Sequence, residues 1–288
     1  MTTGRVIKNY NGFYYVDVGE PQLVECRRRG KIREKILVGD ELEIQLLGDD
    51  KGVIEQVLPR RTMLRRPAIA NIDQLFVIMA AQSPDPSQFL MDKMLMTCEY
   101  SGIHPALCIN KCDLNRLRAE ELKAFYETCG YAVYLVSARE NCGIDTLRAL
   151  LPGKVTAFAG PSGVGKSSLL SQLLHRDDLS VGAVSAKIRR GRHTTRHSEI
   201  MKVEDHTYVV DTPGFSALDF DHLEARDILA LMPDMAPYGG RCRFSSCLHR
   251  TEPGCLVKEA VEAGKIQPER YETYCKIVDS IQERKRYV

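Results

Sequence analysis

The chain has 288 residues, of which 44% are apolar and 27% charged, and a net charge of +2 at neutral pH. This is an ordinary globular composition with room for one large domain or two to three smaller ones, and it excludes wholesale disorder. The longest apolar run, Leu75 to Ala81, is far short of the roughly 20 residues a membrane helix needs. Met1-Thr2-Thr3-Gly4-Arg5 leads into no apolar signal core, so a cytoplasmic protein without membrane contact is expected. Ten cysteines do not imply disulfides in that compartment.

Residues 1–62 are predicted to form an all-β, OB-like barrel. Gly12–Val18 is rich in aromatic and β-branched residues, Lys35–Val38 is strand-like, and Glu41–Leu46 and Val53–Leu58 are short strands set off by glycine turns. Tyr10, Phe13, Tyr14 and Tyr15, together with the basic run Arg27–Arg33, suit RNA: aromatics stack on unpaired bases while cations follow the backbone. The same aromatics could instead be core. Arg60, Arg61, Arg65 and Arg66 form a second basic cluster in a linker bracketed by Pro59 and Pro67, and Arg189–His193 a third. Such clusters on a near-neutral chain fit a polyanion partner or a solvated face.

Residues 63–218 alternate strand and helix, which predicts a mainly parallel sheet covered on both faces. The expected strands are Leu75–Ala81, Ala106–Asn110, Ala132–Val136, Val155–Ala159 and Thr207–Asp211. The expected helices are Gln88–Ser101, Arg116–Cys129, Gly143–Leu150 and Gly165–Leu174.

Four nucleotide motifs lie on this frame. Asn110-Lys111-Cys112-Asp113 follows a strand. The Asp113 carboxylate can accept from guanine N1–H and N2–H₂, a donor pair adenine lacks, while Asn110 ties the loop to the phosphate loop and the Lys111 stem covers the base. Ser137-Ala138 ends the next strand and can offer a backbone N–H to guanine O6. Gly160-Pro161-Ser162-Gly163-Val164-Gly165-Lys166-Ser167, with Ser168 opening the helix beyond, fits the phosphate-binding loop G-x-x-x-x-G-K-[ST]. Lys166 would neutralise phosphate charge, and Ser167 would hold Mg²⁺ through its hydroxyl. Asp211-Thr212-Pro213-Gly214 ends a strand. Asp211 could hold Mg²⁺ through water, and the Gly214 N–H could reach the γ-phosphate. Phe215 occupies the place of the glutamine that many GTPases use to orient water, so turnover should depend on another residue or a partner.

Residues 219–288 are predicted to be a helical, zinc-binding unit. Glu224–Leu231, Leu256–Ala263 and Pro268–Arg286 read as helices. Cys242, Cys247, His249 and Cys255 can complete a closed tetrahedral shell for one structural Zn²⁺. His222 is too distant in sequence to be the preferred histidine. Arg241, Arg243 and Arg250 surround the cluster, which suits either an RNA-contacting knob or a purely structural one.

The motif order is permuted, since the guanine segments precede the phosphate loop. In this order, and over nearly its whole length, the chain resembles the circularly permuted small-ribosomal-subunit biogenesis GTPases of bacteria. The resemblance implies an N-terminal OB barrel, a central α/β P-loop GTPase domain and a C-terminal zinc module. It implies GTP/GDP and Mg as ligands, with the small ribosomal subunit and its rRNA as partner. It makes Gly191–Thr195 the first switch, with Thr194 or Thr195 on Mg²⁺ and His193 the candidate for water activation. The expected activity is GTP hydrolysis, stimulated by the subunit, in late assembly by a monomeric protein. A GTP-binding regulatory switch acting on a protein partner with little hydrolysis is the alternative. Because the D-x-x-G segment runs into the C-terminal module, loss of γ-phosphate would move one RNA-binding arm against the other.

Overall fold

The computed structural model describes residues 1–48, 50–174, 199–212, 220 and 223–286. Five strands form the N-terminal unit: β1 (Thr2–Tyr10), β2 (Phe13–Asp17), β3 (Val24–Arg28), β4 (Glu41–Leu46) and β5 (Lys51–Val57). They close in the order β1-β2-β3-β5-β4, with β3 parallel to β5 and β4 returning to β1. This is the expected five-stranded OB-type barrel. Val6, Val16, Val24, Cys26, Leu42, Ile44 and Ile54 alternate inward to fill it. Lys35–Val38 is not a strand, because the Asp40 carboxylate accepts the Leu37 N–H at 2.7 Å and draws the segment into a turn.

The arginine-rich linker proves to be a hairpin, β6 (Met63–Arg65) and β7 (Ala68–Ala70). Its buried Leu64 and Ile69 join Ile7 and Val38 of the barrel to the core of the next unit. Two of its arginines are engaged within the protein, Arg60 half-buried and Arg61 still exposed. Arg60 grips the fully buried Asp40 through two bonds of 2.7 and 2.8 Å. Arg61 pairs with Asp73 at 3.0 Å. A buried carboxylate requires such a partner.

The central sheet comprises β8 (Gln74–Ala80), β9 (His104–Asn110), β10 (Val133–Leu135), β11 (Val155–Ala159), β12 (Ile200–Glu204) and β13 (Thr207–Asp211). Its order is β10-β9-β8-β11-β13-β12, parallel throughout except for β12 against β13. Strands β8 and β11 are buried at every residue, as parallel strands covered on both faces must be. Helices α1 (Gln88–Ser101) and α2 (Arg116–Thr128) cover one face, and α3 (Ile144–Arg148) and α4 (Lys166–Leu174) the other. Strand β12 was not anticipated; its Lys202 and Glu204 alternate outward on the sheet edge.

Beyond the sheet, Glu224–Leu231 is not one helix but two 3₁₀ turns, Ala225–Asp227 and Leu229–Leu231. The Asp227 carboxylate turns back onto the Glu224 N–H and closes the first turn early. Helices α5 (Leu256–Glu262) and α6 (Pro268–Arg286) enclose a core of Ile228, Met232, Val257, Ile277 and Val278, which also takes in Met96 of α1. Arg270 of α6 is fully buried. Its Nη1 lies 2.8 Å from Asp92 of α1 and its Nη2 2.8 Å from Asp234. Among the described residues, no helix is long and apolar enough to cross a membrane.

Candidate functional site

Strand β11 lies at the centre of the sheet between β8 and β13, and delivers Gly160 at its carboxyl end. A Cβ on Gly160 would stand 2.2 Å from the Ile78 carbonyl oxygen, and one on Gly165 2.4 Å from Asn110 Nδ2. Gly165 also has φ of 92°, a left-handed conformation open to glycine. The loop therefore curls tightly against two neighbouring strands before α4 begins at Lys166. The first N–H groups of that helix have no intrahelical partner and form a site for anions. Lys166 Nζ is held over the loop by the carbonyls of Gly160 and Pro161, at 2.7 and 3.0 Å. Burial lowers its pKa, and the nearby Asp211 carboxylate opposes that shift. Val164 is buried and pins the loop, while Ser162, Gly163, Ser167 and Ser168 face solvent.

Asp211 closes β13 beside this loop. Its Oδ1 is buried with no hydrogen-bond partner among the described residues. Burial raises its pKa, and the Lys166 charge and the Thr212 N–H partly offset this. Thr212 is fixed by its hydroxyl on the Phe158 carbonyl at 2.7 Å. A buried, unsatisfied carboxylate oxygen calls for an explanation, and a hydrated cation at the phosphate loop supplies one. Gly214, Pro213, Phe215, His193, Thr194, Thr195 and His222 lie outside the described residues, as does the basic cluster Arg189–His193.

One amide holds the three loops together. Asn110 Nδ2 donates to the Val164 carbonyl at 2.8 Å, and its Oδ1 accepts the Ala138 N–H at 3.3 Å. Lys111 adopts φ of 59° and donates to the Gly163 carbonyl at 2.7 Å and to that of Ser83. The Cys112 N–H donates to the Val136 carbonyl, and its side chain is buried in the core of the sheet. Asp113 Oδ1 is the second buried carboxylate oxygen without a partner here. The residue lines a cavity of about 220 Å³ together with Lys111, Leu114, Ala138 and Arg139 as well as Gly165. Ser137 is buried, and its Oγ accepts the Glu140 N–H at 3.1 Å, which shapes the loop. Sequence reasoning missed Leu114 and Arg139, although each directly follows a motif it had marked.

In the C-terminal unit, the ligand atoms of Cys242, Cys247, His249 and Cys255 all lie within 4.8 Å of one another. His249 Nδ1 faces the three sulfurs, at 3.4 Å from Cys242 and Cys255 and 3.5 Å from Cys247. The loop is braced from α6: Tyr271 Oη donates to the His249 carbonyl at 2.7 Å and Tyr274 Oη to that of Leu248 at 3.0 Å. Burial lowers the His249 pKa, favouring the neutral imidazole. Burial and the adjacent thiols push Cys247 up to about 12. Three thiols, that of Cys255 buried and those of Cys242 and Cys247 half-buried, and a buried imidazole converge on one point and match the donor set of a structural zinc site. Of the arginines around it, Arg250 is tied to Asp279 at 2.6 Å, whereas Arg243 lies over the exposed Phe244 ring.

Residues 57–221 match the RsgA GTPase family, and residues 3–54 match the RsgA N-terminal domain. The "Small ribosomal subunit biogenesis GTPase RsgA" of Alkaliphilus metalliredigens (strain QYMF) is 43% identical over 293 residues, covering 100% of both chains. That of Moorella thermoacetica is 43% identical over 286 residues, covering 98% of each. Among solved structures, YjeQ from Thermotoga maritima superposes with a TM-score of 0.85 at 34% identity, covering 98% of each chain. YloQ, described as a circularly permuted GTPase, does so with 0.82 at 34% identity, covering 99% of this chain and 96% of its own. With its barrel, its guanine segments ahead of the phosphate loop and its three-cysteine, one-histidine cluster, the chain belongs to the RsgA GTPase family.

Proposed function

We propose that this GTPase acts on the small ribosomal subunit, binding its rRNA and assisting late assembly, with hydrolysis stimulated by that partner. The supporting observation is the pair of buried, unpartnered carboxylate oxygens of Asp113 and Asp211, the first in the loop that Asn110 ties to the phosphate loop and the second beside Lys166. Asp113 would take the guanine N–H pair, because leaving a buried carboxylate unpaired against adenine is costly. A backbone N–H of Ser137-Ala138 would meet guanine O6, the Ala138 N–H leaving its long bond to Asn110 Oδ1 to do so. Backbone N–H groups of Ser162–Ser168 would cradle the phosphates, and Lys166 would leave the Gly160 and Pro161 carbonyls for phosphate oxygens. Ser167 and Asp211 would hold Mg²⁺, which supplies charge neutralisation for phosphoryl transfer. Thr194 or Thr195 would complete that shell and His193 would orient water, as the resemblance implies. The names of the relatives point to the ribosomal partner.

The three sulfurs and His249 Nδ1 would hold one structural zinc. The proposed units are 1–62, 63–218 and 219–288, in a monomer of the cytoplasm. The barrel's outer face favours RNA. Lys8 lies 4.6 Å from the Tyr15 ring and Arg27 4.5 Å from that of Phe13, with Tyr10 61% exposed beside them.

GTP turnover measured with and without purified small subunits, with Lys166→Ala as control, tests this reading. A large stimulation in the unmodified protein and none in the variant is expected. Unstimulated turnover would remove the ribosomal reading and leave the GTPase. Asp113→Asn should weaken GTP about a hundredfold, through lost charge-assisted bonds. Unchanged affinity would refute its role.

A further inference from the structure

Asp17 ends strand β2 of the barrel, yet its partners lie in the central sheet. Its Oδ2 accepts from Tyr208 Oη of β13 at 2.9 Å and stands 3.2 Å from Lys202 Nζ of β12. Its Oδ1 accepts the Gly19 N–H at 2.9 Å. The carboxylate is 1% exposed, and the guanidinium of Arg5 lies over the Tyr208 ring at 5.2 Å. A charged group held by three donors at bonding distance fixes the barrel against this strand pair.

One strand of this pair also reaches the nucleotide site. Tyr208 and Asp211 lie on one five-residue strand, so a displacement of β13 carries both. Strand β12 is the sheet edge, joined on its inner side to β13. Beside the clamp, barrel and sheet are separated by a cleft of about 470 Å³ whose walls include Arg5, Glu41, Arg61, Asp73 and Asp205. The cleft gives the barrel room to shift by the small distances at which hydrogen bonds are made or lost. Ile7 and Val38 keep the barrel joined to the core of the sheet, so the shift is a local one beside the clamp, whereas the joint of the C-terminal unit is fully enclosed. Phe220 is buried in its core with Met96 of α1, and Arg270 is fully enclosed by Asp92 and Asp234.

We propose that the Asp17–Tyr208–Lys202 clamp couples the barrel to the nucleotide site, so that the barrel, and not the zinc-bearing unit, is the arm that responds to the nucleotide. Asp17 and Tyr208 are positioning residues that act through β13 on Asp211. Coupling of this kind is reciprocal: a nucleotide that shifts β13 changes the barrel's affinity for RNA, and RNA that shifts the barrel changes the nucleotide site. The choice of RNA as the barrel's partner rests on the function proposed above. The coupling itself does not.

Hydrogen exchange on the full chain, loaded with GDP or with β,γ-imido-GTP, tests the coupling without any ribosomal component. The Gly19 amide and the β1–β2 amides should exchange at rates differing at least about threefold between the two states, while α6 amides stay alike; typical coupling factors are larger still. In Tyr208→Phe the barrel difference should collapse. Asp17→Asn should give the same collapse, and the double variant no more than either single. With small subunits added, the maximal stimulated rate should fall about tenfold in Tyr208→Phe, with little change in the KM for GTP. Identical barrel exchange in the two states of the unmodified protein would overturn the coupling, as would a difference that survives Tyr208→Phe. A Tyr208→Phe chain that merely melts earlier, with the nucleotide-dependent difference intact, would reduce the clamp to a structural contact and also overturn it. Absence of stimulation in the unmodified protein counts against the ribosomal partner and leaves the exchange result standing.

Discussion

Arg270 and Asp17 each tie a flanking unit to the central sheet, in opposite surroundings. Arg270 is wholly enclosed, with side-chain exposures of 1% and 6% for its partners Asp92 and Asp234. Asp17 borders an open cleft, and its partner Lys202 is 31% exposed. In the first place water cannot replace a lost partner, so any displacement strands a buried charge. In the second, water can follow a displacement and limit its cost. The same kind of ion pair therefore acts as a fixed joint on the C-terminal side and an adjustable one on the barrel side.

The contrast can be tested hardest by stripping the zinc proposed for Cys242, Cys247, His249 and Cys255. Chelation should remove free energy on the order of 10 kcal/mol from the cysteine loop. The fixed joint predicts that exchange protection is lost over Cys242–Cys255 while the Arg270 contact with α1 holds. Collapse of α6 together with the loop would show the joint depends on the metal. Next in size is Arg270→Met, which leaves Asp92 and Asp234 buried without a cation. A loss of about 3–5 kcal/mol in urea denaturation is expected, and a loss of a few tenths would mean that this side is not dry. Tyr208→Phe on the other side should cost only about 1 kcal/mol by the same measurement.

The smallest effect is that of acid. Burial alone would raise the Asp17 pKa, but the Gly19 N–H, the Tyr208 hydroxyl and Lys202 outweigh it and hold the carboxyl below its ordinary value. Its stabilisation is therefore complete above the ordinary carboxylate pKa of about 4 and fades as pH falls through the lower folded value. Its two partners from the sheet keep their charge states there: Lys202 stays protonated, and Tyr208, raised to about 12, stays neutral. Asp205, paired with Lys202 at 3.3 Å, is the other carboxylate of the clamp. Barrel protection against exchange should weaken below about pH 4 before that of α6. Simultaneous loss of both would erase the distinction.

The nucleotide site was legible from sequence because its motifs demand local backbone shapes. Gly165 can carry no Cβ against Asn110, and Lys111 must turn left-handed, so residue type and spacing encode the geometry directly. The strands Val155–Ala159 and Thr207–Asp211 were read with their observed ends, as were Gln88–Ser101 and Pro268–Arg286. The joints between units were not legible. Asp17 and Tyr208 are 191 positions apart, and neither carries a signal that names the other. Arg60 looked like surface charge because its partner Asp40 is buried by tertiary packing alone. The hairpin Met63–Ala70 was hidden by its arginines and proline, which suit a linker equally well. Strand β12 was hidden because an edge strand exposes half its residues.

The strand order has a consequence for a chain made from its N-terminus. Strands β8, β9 and β10, with Asp113, are complete before β11 is synthesised, yet β11 lies on the far side of β8 in the finished sheet. A nascent chain at that stage has its guanine-recognising carboxylate but neither the phosphate loop nor Val164, the acceptor for the Asn110 amide. Its β8 has one ladder unpaired, the kind of edge that invites mispairing. Nucleotide binding thus becomes possible only late in synthesis, and the cellular pool of GTP can act as a ligand that traps the finished sheet.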